Sequence, residues 1–570
     1  MSRLTKNLLR LRVTMGLTKD RLDQSGGDTP VWGRNLLFIA VCLGGAVALA
    51  ASLSPVHTPA AGPDALRAPT ADLHPSVERL NSSFRKAWDA AGIEPARRAP
   101  ELLIVRRLSL ALAGTVPSLA EIRQLESHTN DGRLAWWLNR LLEDRRSSDY
   151  LAERLARAYV GTDDGPFLIY RRRRFVSWLA DEIHANRPYN EIVAQLIATD
   201  GIWTDKPATN FVTVTVQADA GKGPDANLLA ARVSRAMLGV RLDCAECHDH
   251  PFRPWKQSDF QALAGFFGQT ENSLRGIRDR EGPAEIDDPV SGDPKIVVAG
   301  VPFAVDLLPK QGTPRQRLAD WVTNSANKAF ARATVNRVWA LLLGRPLVEP
   351  IDDISFDVEA PRALTVLAED FVAHEYDLRR LIEVIASSEA FQLDSRIEGD
   401  TLDGAADPLR PDAWSKFPIT RLRPEQVVGS LLQASSLATL DYQSHILVRA
   451  ARAIGQAEFL KHYGDLGADE FALEGGTVPQ RLLLMNGTLV KEKTKENLLG
   501  NAATQIAALA STDEKAIEIA YLACLARQPT AQEQQHFVAK LSDSRGSIRR
   551  QQMEDIYWAL VNSAEFSWNH

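Results

Sequence analysis

From about residue 75 onward, apolar positions recur mostly three or four apart, the period of an α-helix with one buried face. Tyr150–Val160 sets Leu151, Leu155, Ala158 and Tyr159 on one stripe, and Phe175–Ala185 does the same with Val176, Leu179, Ala180 and Ile183. Pro188 breaks that run before another helix over Glu191–Ala198, because proline lacks the amide a helix interior needs. Leu228–Val240 is a further amphipathic run. Ser118 followed by Glu121 forms a capping box, whose hydroxyl and carboxylate satisfy the first free amides of a helix over Leu119–Ser127. Two segments suit strands instead: Phe211–Gln217, with period two, and Ile296–Val305, which Pro302 confines to a sheet edge. Residues 271–315 are rich in Gly, Pro and Asp and mark a boundary. Beyond it the period predicts helices over Arg317–Ser325, Ala331–Leu343, Arg362–His374, Leu378–Ser387 and Gln426–Ala434. The C-terminal third adds Arg481–Met485, Ala503–Leu509, Glu514–Ala526, Ala531–Leu541 and Gln551–Ser563. No fixed-period repeat is present. The expected fold is mainly α: two helical domains, 76–270 and 316–570, with a few short strands in the 271–315 linker.

Ahead of this body, Leu36–Leu53 runs 18 residues without a charge. As a helix it would rise about 27 Å, enough to cross a hydrocarbon core. The preceding leader, 1–35, carries Arg3, Lys6, Arg10, Arg12, Lys19, Arg21 and Arg34, a basic excess that holds such a leader in the cytoplasm. The expectation is an N-terminal transmembrane signal-anchor over 36–53, a Pro- and Ala-rich tether over 54–75, and a body on the periplasmic or extracytoplasmic side. A cleavable signal peptide using Ala48 and Ala50 is the competing reading. Composition narrows the classes further. With 570 residues, 45% hydrophobic and 24% charged, the chain is neither a disordered polymer nor a multi-span membrane protein. A net charge of −6 provides no global field for nucleic acid, and four cysteines exclude a disulfide-stapled scaffold.

The clearest chemical signal is Cys244-Ala245-Glu246-Cys247-His248, the C-x-x-C-H form used to attach a c-type haem. Two cysteines three apart on a helical turn project from one face, where each thiol can add to a vinyl group, and the next residue offers an imidazole to the iron. Met237, Leu238, Val240, Phe252, Trp255, Phe260, Leu263, Phe266 and Phe267 flank the motif as a wall for a flat cofactor or as ordinary core. Three other readings stay open on the residues: a redox disulfide, a metal site using Cys244, Cys247, His248 and His250, and two structural cysteines. His250, two residues past His248, suits an outer role: bonding a propionate or orienting His248. A sixth iron ligand would come from His184, His374, His445, His462, His536, Met237, Met485 or Met553. Arg171–Arg174 suits oxyanions or a solvated helix start. Asp352, Asp353 and Asp357, like Asp163 and Asp164, suggest calcium or polar turns. Cys42 and Cys524 read as plain buried thiols.

Residues 241–267 (RLDCAECHDHPFRPWKQSDFQALAGFF) resemble the signature of a planctomycete cytochrome-like family of unknown function. Residues 104–160 resemble the start of the same domain, 317–392 its accompanying second domain, and 478–570 the end of that second domain. The resemblance implies an exported c-type cytochrome-like protein, without an established reaction. Many relatives of that family carry a separate N-terminal cytochrome module, where this sequence shows a basic leader and an apolar span. The expectation is therefore one covalent haem c on Cys244 and Cys247 with His248 on the iron. The role would be electron transfer, or haem-linked redox chemistry with a redox partner protein. The alternative is a non-redox surface or scaffold protein whose Cys/His motif binds a structural metal or is only structural. A third reading, a polysaccharide-processing hydrolase, needs paired carboxylates in one pocket. Neither enzymatic activity nor a small-molecule substrate follows from the residues.

Overall fold

A computed structural model of the chain describes residues 73–128, 132–162, 170–216, 223–354, 359–396, 413–442, 444, 446–464, 477–495 and 501–570. The 36–53 segment lies outside them, as do Cys42, Asp163, Asp164, Asp357 and His445. Among the described residues no helix is long and apolar enough to cross a membrane.

Helices form where the apolar period predicts them. The first set is α1 (Leu73–Ala91), α2 (Glu101–Ala113), α3 (Leu119–Ser127), α4 (Arg133–Glu143), α5 (Arg145–Val160), α6 (Arg172–His184) and α7 (Tyr189–Ala198). The Ser118–Glu121 capping box is made in both directions and starts α3 where expected. After a 3-10 turn at Pro207–Thr209 come α8 (Asn210–Thr213) and α9 (Ala226–Arg232), and α10 (Gln257–Ala264) follows the cysteine motif. Two hairpins occupy the Gly/Pro/Asp-rich segment: β1 (Thr270–Ser273) with β2 (Gly276–Asp279), and β3 (Ala284–Asp287) with β4 (Pro294–Val297), both antiparallel.

The second set begins with α11 (Pro314–Val322), α12 (Lys328–Leu343), α13 (Arg362–Ala373), α14 (Leu378–Ala386) and α15 (Glu389–Gln392). Strand β5 (Thr420–Arg421) precedes α16 (Pro424–Ala434), α17 (Ile446–Tyr463), α18 (Val478–Asn486) and α19 (Thr488–Thr494). Then come α20 (Ala502–Leu509), α21 (Asp513–Leu525), α22 (Ala531–Leu541), α23 (Gly546–Val561) and α24 (Ala564–Ser567). The last strand, β6 (Trp568–Asn569), pairs antiparallel with β5.

Three local expectations are corrected. Residues 211–216 are not a strand: Pro207 starts a helical turn that continues through Thr213. Phe211, Val212, Thr213 and Thr215 are all buried, so the apparent alternation separates no inner face from an outer one. The Ile296–Val305 strand is shorter and earlier, ending at Val297, and Pro302 falls outside it. The Leu228–Val240 run ends as a helix at Arg232, passes through a π-turn at Val233–Met237 and reverses at Gly239, whose φ is +65°.

The described residues fall in one compact unit, Arg67–His570. Its largest core draws Leu80, Trp137, Phe260 and Phe267 from before the hairpins and Trp321, Trp339, Leu364 and Phe391 from after them. A second core joins Leu110 and Val116 of the N-terminal half to Val427, Leu431, Tyr521 and Tyr557. Two buried arginines of α2 pin the C-terminal end onto this arrangement. Arg106 donates to the carbonyls of Cys524, Glu565 and Phe566, and Arg107 to those of His570, Phe391 and Leu393.

Candidate functional site

The C-x-x-C-H motif stands on a short surface turn held from beneath. The π-turn after α9 and the reversal at Gly239 swing the chain outward. Gly239 needs its missing side chain, since a Cβ there would lie 3.1 Å from Ile354 Cδ1 and 3.2 Å from Ala333 Cβ. Leu242–Ala245 then make one 3-10 turn. Leu242 and Ala245, three apart, are buried, whereas Cys244 and Cys247, also three apart, are exposed free thiols, and the His248 side chain is exposed beside them. The predicted spacing of two thiols and an adjacent imidazole on one outer face is therefore present.

Gln257 at the start of α10 closes the loop. Its side-chain amide donates to the carbonyls of Glu246 (3.2 Å) and Cys247 (2.9 Å), and its backbone amide to Asp249 Oδ1 (2.9 Å). The His250 amide donates to the Trp255 carbonyl at 2.8 Å. The two imidazoles differ in tautomer. His248 Nδ1 lies 2.8 Å from the Asp249 carbonyl, which can only accept. Nδ1 therefore carries the proton and Nε2 keeps its lone pair. At His250 the Phe252 amide donates to Nδ1 at 3.0 Å, so the proton sits on Nε2 and that nitrogen is a donor. His248 is thus oriented by the Asp249 carbonyl rather than by His250.

Charged groups fix the turn to a distant segment. Arg235 reaches both Asp243 (2.7 Å) and Asp352 (3.1 Å), Arg241 reaches Asp352 (2.8 Å), and Arg253 reaches Asp353 (3.4 Å). The Ile354 amide donates to the Gly239 carbonyl at 2.7 Å. Asp352 and Asp353 are therefore anchors for arginines, while Asp357 lies outside the described residues. Burial, followed by the Asp243 carboxylate, pushes the Cys244 thiol above its ordinary value against the pull of Arg235 and Arg241. Among the described residues no strand leads into Cys244, which sits in a 3-10 turn. Among the described residues no group of three or more His, Cys, Asp or Glu is placed to hold a metal ion, so Cys244, Cys247, His248 and His250 do not converge into an ion site.

The flanking apolar residues divide. Met237, Leu238, Val240, Phe260, Leu263, Phe266 and Phe267 are core, whereas Phe252 is 89% exposed beside the motif. Trp255 is half-buried and packs on Phe303. Other expected residues sit elsewhere. His184 contacts Ser148, His374 bonds the Asp370 carbonyl, His536 packs on Phe537, and Met553 is buried in the second core. His462 lies in the last turn of α17, and the carbonyl of Met485 in α18 accepts from Trp558. In the arginine run, Arg171 lies over Trp203, Arg172 forks onto Glu153 of α5, and Arg174 donates to the Thr204 carbonyl. Sequence reasoning missed Gln257 and the Arg235–Asp352 link. The first is an ordinary helix-start glutamine, and the second joins positions that only the fold brings together.

Residues 79–272 match PSCyt2, a protein family of unknown function (DUF1549), and residues 314–453 match PSD1, a protein family of unknown function (DUF1553). The chain carries both domains. The C-x-x-C-H turn belongs to the PSCyt2 segment, while Asp352, Asp353 and Ile354, which brace it, belong to the PSD1 segment. The two matched segments thus build one site between them. No curated protein and no solved structure matches the chain.

Proposed function

We propose that the protein is an exported, membrane-anchored, c-type cytochrome-like protein that exchanges electrons with a redox partner. Cys244 and Cys247 would hold haem c by thioether bonds, with His248 Nε2 on the iron. The observation that carries this reading is the donor set of the turn: two exposed free thiols three apart, next to an imidazole whose Nδ1 proton is committed to the Asp249 carbonyl. That hydrogen bond points Nδ1 at the Asp249 carbonyl, so Nε2 is the nitrogen that would meet a metal, and such a bond is the usual outer support of a ligating histidine. When bound, the group would supply a one-electron couple. The chain's own contribution is to present the thiols, hold the His248 proton at Nδ1 and keep the turn rigid through Gln257 and the arginine–aspartate links. His250 Nε2–H is a hydrogen-bond donor in this scheme, suited to a propionate. The apolar 36–53 segment and its basic leader support the anchored, extracytoplasmic placement that attachment of such a group requires.

The test is expression of the full chain in a host with an active haem-attachment system, followed by visible spectroscopy and intact-protein mass. The expected result is a mass gain of one haem and a c-type spectrum, both lost in the Cys244→Ala/Cys247→Ala double variant. A bare polypeptide from that host refutes the proposal. Stoichiometric zinc in its place favours the structural-metal reading.

A further inference from the structure

Helix α5 has a second face that its apolar stripe does not account for. Arg146, Asp149, Tyr150, Glu153, Arg154 and Arg157 recur at helical spacing on one side and line a cavity of about 530 Å³. Such a face normally points to solvent. Here Arg146, Arg154 and Arg157 are buried, with Arg154 only 1% exposed. Buried ionised groups are costly and are kept where they are fully engaged or where something binds to them. The opposite wall comes from the PSD1 segment and the residues just after it: Glu425 at the start of α16, Tyr442 and Ser444 in the following loop, and Gln456 on α17.

The lining carries both signs of charge and is mixed in hydrogen-bonding sense. Among the described residues, three arginines (146, 154, 157) face four carboxylates (Asp149, Glu153, Glu425, Asp441). Arg154 meets Glu425 at 2.8 Å. Tyr150 accepts from Arg423 (3.3 Å) and donates to Glu425 (3.4 Å), and Tyr442 donates to Asp149. Arg172 forks onto Glu153 with two bonds of 2.9 Å. A free inorganic anion would want a surplus of donors, which three arginines among four carboxylates do not give, and this cavity adds the apolar surface of Ala113, Leu440 and Leu460 to its polar groups. It alternates fixed donors and acceptors beside two phenol rings, which suits a molecule whose hydroxyls both donate and accept and whose C–H face can lie on an aromatic ring.

We propose that this cavity binds a neutral saccharide of roughly one or two rings, a volume within the usual range for small-molecule pockets. Although burial pushes the Glu153 carboxyl up, the Arg172 hydrogen bonds and the charges of Arg172, Arg154 and Arg157 outweigh it and hold it below the ordinary range. Glu153 is an acceptor in this site, held in place by Arg172 and Arg157. The site is one of binding, independent of haem attachment.

The test is titration of the full chain, by calorimetry and saturation-transfer NMR, with glucose, galactose, mannose, fucose, xylose and cellobiose. Inorganic sulfate and galacturonate form the anionic arm. Saturable binding of at least one neutral sugar is expected, weakened tenfold or more in Tyr442→Ala, whose side chain is partly exposed and whose loss leaves the fold intact. Gln456→Ala, on α17 of the same wall, provides the same test if the first variant melts early. The proposal is overturned if no neutral sugar binds by about 50 mM. It is overturned equally if binding is unchanged in both variants, or if only sulfate or galacturonate binds.

Discussion

Removing the Asp352 carboxylate, by Asp352→Ala, should loosen the cysteine turn without unfolding the protein. Asp352 accepts from Arg235 at 3.1 Å and from Arg241 at 2.8 Å. The two guanidinium groups are 37% and 35% exposed, so each pair has the strength of a surface link, about 0.2–1 kcal/mol. Asp352 itself is 13% exposed, which moves both toward the upper end. Its loss also leaves Arg235 and Arg241 facing one another without the intervening charge. The sum is about 1.5 kcal/mol, close to a tenfold change in a local opening equilibrium. Spread over a cooperative unit this large, the same energy moves Tm by only about 2 °C or less. The sensitive assay is hydrogen exchange with peptide mass spectrometry. The reporting amides are Val240, bonded to the Ser234 carbonyl, and Ile354, bonded to that of Gly239. Both should exchange about tenfold faster in Asp352→Ala. Asp353→Ala, which removes one 3.4 Å contact to Arg253, should change exchange about twofold. Exchange at wild-type rates in Asp352→Ala, or a larger effect from Asp353→Ala, would show that the arginine–aspartate links do not brace the turn.

Alkylation of the native, unloaded protein near pH 8 should label exposed Cys244 and Cys247 far faster than Cys524. Cys524, fully buried and with its thiol pushed up by that burial, should react only after denaturation; peptide mapping reads the result, and native labelling of Cys524 contradicts the packing of α21. Arg107→Ala should cost about 4 kcal/mol by urea unfolding, because the buried Phe391 and Leu393 carbonyls, the part-buried His570 carbonyl and the Phe417 ring lose one shared cation. The Glu533 carboxyl is held down at about 2 chiefly by its hydrogen bonds from Arg527, with a smaller pull from the Thr530 amide. A depressed acid stabilises above its unfolded value of about 4.3 and loses that contribution as pH falls toward 2. Since the side chain is 31% exposed, Glu533→Gln should cost only about 1 kcal/mol at pH 7 and flatten the acid limb between those values, as read by circular dichroism. Gly114→Ala should cost roughly 1–3 kcal/mol, since φ is +66° and a Cβ would lie 2.6 Å from the Tyr150 ring; a denaturation midpoint equal to wild type counts against that packing.

The helical elements were legible in the chain because their determinants are local. The Ser118–Glu121 box, the proline before Tyr189, and the stripes of α5 and α6 act within one or two turns, and the structure reproduces them. The helix over Ala531–Leu541 has the bounds its period predicts, with Thr530 and Glu533 capping it. The C-x-x-C-H spacing was likewise readable, since it is written in five consecutive residues. The alternation at 211–216 misled because buried threonines mimic polar positions, and burial is a property of neighbours, not of sequence. Only the tertiary structure decided which His248 nitrogen carries the proton, because that depends on where the Asp249 carbonyl turns. Only it placed Asp352 beside Arg235, 117 positions apart, and gathered Tyr150, Glu153 and Glu425 around one cavity. Periodicity reports which residues share a face of an element; which faces meet is set by the packing of the whole core, and there the sites of this protein are made.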